Sequence, residues 1–228
     1  MKSFFTYLLY NTKIVFYWLI GIDLFILSLH LLFGSHSQFL HLDFEQNLPT
    51  FYQSFKLIFF GVFFFILGLR KSIKLDIKSF ILPLAAAIIF LGLDELLQIH
   101  ENIYRIFELF DLFHPSKIVE ASMKMGYKSS LWILYYLPII FIFVFWSGYW
   151  LRYFQSKMRN NAWILVVSSL CLFTVLLAEI FSSTGSFAEN TYYWLITIEE
   201  TAEMILASTL ILVGSKMLNK HIRYPMGM

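Results

Sequence analysis

The stretch FLGLDELLQIHEN, residues 90–102, decides how the chain folds, because a long apolar run ends here in acidic side chains and a histidine. Two later apolar segments carry acids as well. The full set is Asp94, Glu95, His100 and Glu101 in the first segment, Glu179 in the second, and Glu199, Glu200 and Glu203 in the third. An ionised carboxylate at mid-bilayer costs about 2.5–3.5 kcal/mol on insertion scales, so seven of them require a common explanation. We expect them to form one site.

The composition is that of a membrane protein. Of 228 residues, 59% are apolar and 14% are charged, whereas a soluble domain has roughly 25% charged residues. Runs of membrane-spanning character lie at about 14–33, 55–70, 79–99, 131–150, 162–182 and 195–215. The sequence therefore predicts an all-α, polytopic membrane protein, with six transmembrane helices forming a single domain over residues 1–228.

Charge and cysteine content exclude several classes of protein. The net charge of +2 is small, and Lys and Arg fall in short connections rather than in one stripe, so we expect no nucleic-acid partner. Cys171 is the only cysteine and lies in an apolar run, which rules out an intrachain disulfide and a cysteine-based metal site.

The distribution of Lys and Arg predicts the orientation, because cytoplasmic loops carry the excess. Twelve such residues flank one side of the six predicted helices. The opposite side has five: Lys56, Arg105, Lys117, Lys124 and Lys128. Both termini are thus expected in the cytoplasm, with the chain in the cell (inner) membrane. This topology places all the acidic groups in the outer half of the bilayer.

The connection after the third helix is the longest. Its alternation of apolar and charged residues at near-helical spacing predicts an interfacial helix at about 102–127, either a simple surface helix or a lid over the outer site.

Helical spacing gives each acidic group a common face. At about 100° per residue, Asp94 and Glu101 lie in one stripe of helix three, and the three acids of helix six occupy a sector of about 100°. Carboxylates this close repel one another unless they are protonated, paired with cations or bound to metal. Basic residues nearby are few, so the sequence favours metal over hydrogen-bonded packing.

An excess of carboxylates over imidazole favours a divalent cation such as Mn, Fe, Zn, Mg or Ca. The predicted metal ligands are Asp94, Glu101, Glu179, Glu199 and Glu203, and the candidate catalytic residues are His100, Glu95 and Glu200. The paired Glu-x-x-His pattern of di-iron bundles and the His-Glu-x-x-His zinc motif are absent here.

Three functions fit these residues. The first is a metal-dependent membrane enzyme acting on a lipid-like or other small molecule, with membrane lipid around it. The second is a small cation- or proton-coupled transporter, and the third is a non-catalytic assembly subunit. The apolar inner halves of the helices favour a one-sided outer site. Asp23 and His30 share a face of helix one and are either support for this site or a separate structural contact.

Overall fold

A computed structural model describes residues 7–44, 46–100, 102–103, 120, 132–157, 161–183 and 187–223. This part of the chain is all-helical, without β-strands. Its long helices are α1 (Thr12–Phe33), α2 (Leu48–Gly68), α3 (Leu75–Leu97), α4 (Trp132–Lys157), α5 (Ala162–Ser183) and α6 (Glu189–Arg223). Most of the interfacial helix expected at 102–127 lies outside the described residues, as does Glu101.

Four helices of the described part are long and apolar enough to cross a membrane. They correspond to α1, with its span extended to His36, and to α2, α3 and α5. The surface agrees with this, because large apolar side chains such as Trp18, Phe55 and Phe145 are at least 70% exposed, as side chains in contact with lipid would be. The chain is a membrane protein.

Helix α2 begins at Leu48 rather than near residue 55. The Asn47 side chain accepts a hydrogen bond of 3.0 Å from the Thr50 backbone N–H, and Pro49 occupies the first turn. An asparagine cap followed by proline is a strong helix start, because each satisfies or removes an otherwise unpaired N–H. Because the helix starts early, Lys56 lies well inside it and is only 3% exposed. We had expected Lys56 at the outer end of the helix.

Glycines allow α2 and α3 to pack closely below the acidic groups. A Cβ atom added to Gly92 would lie 2.9 Å from the Leu57 Cβ, and one added to Gly61 would lie 3.0 Å from the Ile89 backbone nitrogen. Small residues at such crossings allow backbones to approach in a membrane, where packing replaces the hydrophobic effect. Helix α5 packs along α6, and α1 packs against α6.

A buried ion pair joins α1, α2 and α6. The Lys56 Nζ lies 2.8 Å from an Asp23 carboxylate oxygen and also donates to the Met204 carbonyl oxygen at 3.1 Å. Tyr52 donates to the same Asp23 oxygen, and Ser208 donates to the other at 2.6 Å. Asp23 therefore pairs with Lys56 rather than with His30, and the pair fixes how α6 lies against α1 and α2.

His30 holds the connection between α1 and α2 against the outer end of α6. Its Nδ1 accepts the Leu42 backbone N–H at 3.2 Å, so Nε2 carries the proton and donates to the Thr197 hydroxyl at 3.1 Å. The ring also stacks on Tyr193, with ring centroids 5.0 Å apart. Because every ring nitrogen is used, His30 serves a structural contact separate from the acidic site.

Candidate functional site

Asp94 organises the end of α3. The helix stops at Leu97 because Gln98 adopts a left-handed conformation with φ 53°. The chain then turns back, and the His100 backbone N–H donates to the Asp94 carboxylate at 2.8 Å, while the Tyr136 hydroxyl of α4 donates at 2.9 Å. The expected stripe from Asp94 along a continuous helix is therefore interrupted at Gln98.

The His100 side chain also contacts the Asp94 carboxylate. Its Nδ1 lies 3.2 Å from the second Asp94 oxygen. Burial lowers the pKa of His100, but the hydrogen bond and charge of Asp94, together with the charges of Glu203 and Glu95, raise that pKa to about 9. His100 is thus an imidazolium at neutral pH. Because its Nδ1 is hydrogen-bonded to Asp94, Nε2 is the nitrogen that exchanges a proton with the cavity.

Three carboxylates from two helices meet beside this histidine. Oxygens of Glu95 on α3 and of Glu200 and Glu203 on α6 all lie within 4.8 Å of one another. Ligands of a single divalent ion, each about 2.1–2.4 Å from it, lie at most about twice that distance apart. The group, called the carboxylate triad below, therefore has the spacing of a cation site.

A second acidic group forms where α5 meets α6. Glu199 is 6% exposed and hydrogen-bonds Glu179 through their carboxyl groups. A carboxylate has no donor, so a proton must be shared between the two. The other Glu199 oxygen, Oε2, is buried and has no hydrogen-bond partner among the described residues. A buried acceptor left unpaired is costly, and it indicates a position for a bound donor or cation.

Both acidic groups line a single cavity of about 1010 Å³. It is enclosed by α3, α4, α5 and α6, with part of α2. Of the eight predicted site residues, seven lie on its wall: Asp94, Glu95, His100, Glu179, Glu199, Glu200 and Glu203. Glu101 lies outside the described residues. The predicted convergence of three distant segments is thus present in the fold.

The inner part of the cavity wall is apolar. Leu57, Leu206 and Leu210 line it, and Phe64, which is fully buried, packs further along the bundle near Gly214.

Comparison with known proteins identifies the family of this chain. A family model described as Domain of unknown function (DUF8692) matches residues 38–214, more than three quarters of the chain. The chain belongs to this family. All seven cavity residues named above fall within the matched range, whereas Asp23 and His30 precede it. No curated protein and no solved structure matches the chain.

Sequence reasoning missed some residues that shape the site. Tyr136 of α4 was not among the predicted site residues, yet its hydroxyl donates a hydrogen bond to Asp94. Asp43 lies on the cavity rim and accepts a hydrogen bond of 3.2 Å from the Tyr192 hydroxyl. Lys56 is close enough to Glu95 for their charges to interact. For Lys56 the sequence did contain a signal: the helix cap at Asn47 indicates that Lys56 lies inside a helix rather than in a connection.

Proposed function

We propose that this protein is a multi-pass membrane enzyme that holds a divalent cation in the carboxylate triad and acts on a lipid-like molecule. The observation that carries the proposal is the triad itself, with three carboxylate oxygens within 4.8 Å of one another. Without a cation, three ionised groups at this distance would repel strongly. Mn, Fe, Zn, Mg and Ca all accept carboxylate oxygens, and the triad does not discriminate among them.

The proposal revises the expected ligand set. Glu95 and Glu200, first considered as catalytic, become ligands with Glu203, whereas Asp94 positions His100 through two hydrogen-bonding contacts. A histidine oriented by a carboxylate is a common general acid or base. We assign His100 this role toward water or a polar group of the substrate. Glu199, with its unpaired oxygen, faces the same reacting space.

The size of the cavity supports a substrate beyond the ion. Small-molecule sites typically occupy about 300–1,000 Å³, and a volume of about 1010 Å³ is far more than an ion and its ligands fill. The apolar inner wall, formed by Leu57, Leu206 and Leu210, favours a one-sided enzyme over a transport path. We further propose six spans, with α4 and α6 completing the four apolar helices, and cytoplasmic termini in the cell (inner) membrane. Burial of Lys56 removes one cation from the outer side and strengthens that orientation.

Metal content tests the proposal directly. Detergent-purified protein is equilibrated with each divalent cation, desalted and assayed by elemental analysis. Wild type should retain about one ion per chain, and the Glu200→Gln/Glu203→Gln variant should retain almost none. Asp76→Asn is the matched control, because Asp76 is an exposed acid at the other end of α3 and does not line the cavity. Equal metal content in wild type and the triad variant would refute the proposal.

Liposome reconstitution separates enzyme from transporter. Purified protein is placed in sealed vesicles with a pH-sensitive dye inside, and a cation gradient is applied. A one-sided site predicts no cation-dependent proton flux. Flux that is present in wild type and abolished by Glu203→Gln would contradict the enzyme model and establish the transport alternative.

A further inference from the structure

Two residues on the cavity wall each carry a buried acceptor atom that has no hydrogen-bond partner among the described residues. One atom is Oε2 of Glu199 on α6, and the other is Oε1 of Gln53 on α2. Each residue is only 6% exposed. A buried acceptor without a partner is costly and therefore rare in a folded protein. Two of them on one cavity wall indicate that the cavity binds a molecule that donates hydrogen bonds.

Gln53 lies beside the buried ion pair but takes no part in it. All three N–H groups of Lys56 are engaged, and the Tyr52 hydroxyl donates to Asp23. These polar neighbours on α2 therefore have no donor left for the carboxamide of Gln53. The next residue, Ser54, also has a buried oxygen without a partner in the described part of the chain, but it does not line the cavity. Only Gln53 of this pair borders a space that a ligand can fill.

The two acceptors lie at similar depth in the bundle. Lys56 of α2 bonds the Met204 carbonyl of α6. Phe64, about two turns further along α2, lies against Gly214 of α6. Both contacts advance in the same direction, so the two helices run parallel. In this register the two acceptor-bearing residues differ in depth by at most about one helical turn, about 5.4 Å.

Hydroxyl groups suit both acceptors. A hydroxyl donates one hydrogen bond and also accepts, so it can pair with the Glu199 oxygen and with either end of the Gln53 carboxamide. Ethers and esters have no hydrogen to donate and would leave both oxygens unpaired. Because the acceptors lie within about one turn of each other, a head group with two neighbouring hydroxyls can serve both.

We propose that the substrate is an amphiphile whose head group carries two hydroxyls, and that Gln53 and Glu199 select it by accepting a hydrogen bond from each. The hydrocarbon part lies along the apolar inner wall, formed by Leu57, Leu206 and Leu210. This deepens the proposed function by naming the substrate class. It rests on that function for the lipid-like character of the substrate and is independent of the bound ion.

Native mass spectrometry tests the proposal with two probes, a long-chain alkylglycerol and the same molecule with both hydroxyls methylated. The full chain is purified in detergent and titrated with each probe. We expect the alkylglycerol to bind at least about tenfold more tightly, because the methylated probe leaves the acceptors unpaired. Gln53→Met, which keeps the length of the side chain, should weaken alkylglycerol binding about tenfold and leave the methylated probe unaffected. Ser54→Ala is the matched control and should bind both probes as wild type does.

Thermal unfolding of the same variants separates a binding defect from a folding defect. Gln53→Met and Ser54→Ala each remove an unpaired polar group, so neither should unfold below wild type. Glu199→Met should weaken alkylglycerol binding as Gln53→Met does. Glu199→Gln should retain binding, because its amide can donate to Glu179 and leave its oxygen toward the cavity.

Equal binding of the two probes to wild type would show that water, rather than a ligand, pairs with the two oxygens, and it would overturn the proposal. Equal loss in Gln53→Met and Ser54→Ala would overturn it as well. Elemental analysis of the same samples keeps the two proposals apart. Bound metal without a preference for the alkylglycerol would sink this inference and leave the cation site standing, whereas a preference without bound metal would do the reverse.

Discussion

Replacing Lys56 by methionine should destabilise the bundle far more than replacing both members of its ion pair. Lys56 donates to Asp23, to the Met204 carbonyl and, at 3.3 Å, to Ser208. Its removal leaves a carboxylate that is 2% exposed and that, among the described residues, keeps the Tyr52 and Ser208 hydroxyls as its donors. Breaking a buried pair from one side costs about 3–5 kcal/mol, because one charge stays buried without compensation.

The double variant Lys56→Met/Asp23→Asn provides the internal comparison. Its asparagine oxygen accepts from one of the two hydroxyls, its amide N–H can donate to the oxygen of the other, and no net charge remains, so we expect it to recover most of the lost stability. Cys171, the only cysteine, reports unfolding through its reaction with a maleimide dye during heating. At about 2–4 °C per kcal/mol, the single variant should unfold about 6–20 °C below wild type. If the double variant loses more stability than Lys56→Met alone, the two losses add, and the view that the two charges stabilise each other is refuted.

Two further perturbations test the packing and the histidine. Gly92→Ala should cost about 1–3 kcal/mol by overpacking, measured as the same shift in maleimide reaction. Gly148→Ala should be neutral because, apart from the adjoining backbone of its own helix, no atom of the described residues lies within 4 Å of the added Cβ. A pKa of His100 of about 9 in the folded protein, against 6.5 unfolded, means that the Asp94 contact stabilises fully below pH 6.5 and is lost as pH rises through 9. Wild type should therefore lose thermal stability between these pH values relative to His100→Gln, and parallel pH profiles would contradict this assignment.

The part of the site that lies on regular helix could be predicted from sequence. Glu199, Glu200 and Glu203 occupy one sector of α6 because the helical period holds without interruption from Glu189 to Arg223. The sequence could predict that these residues lie at the same depth in the membrane as Glu95, but not that they contact it. Which acid meets which depends on the rotation of each helix, and that rotation is set by contacts distant in sequence.

Local backbone geometry limited the prediction at two places. Gln98 adopts a left-handed conformation that a glutamine rarely takes, so continuation of α3 was the natural expectation, and the fold of His100 onto Asp94 was missed. The start of α2 was predictable in principle from Asn47 and Pro49. Counting Lys56 as a loop residue concealed the ion pair with Asp23, which joins residues 33 positions apart.

Under the proposed metal binding, the two acidic groups of the cavity are neutralised by different means, although both lie on the same stretch of α6. Glu199 lies toward α5, where it hydrogen-bonds Glu179, and one shared proton suffices for two carboxyls. Glu203 lies toward α3, where Glu95 and Glu200 make a group of three that a single proton cannot satisfy. Because Lys56 bonds the carbonyl of Met204, the residue after Glu203, the rotation that separates the two groups is fixed by the buried ion pair. Removal of the proposed divalent ion would therefore leave repulsion at the triad, whereas the hydrogen-bonded pair of Glu179 and Glu199 would stay as it is.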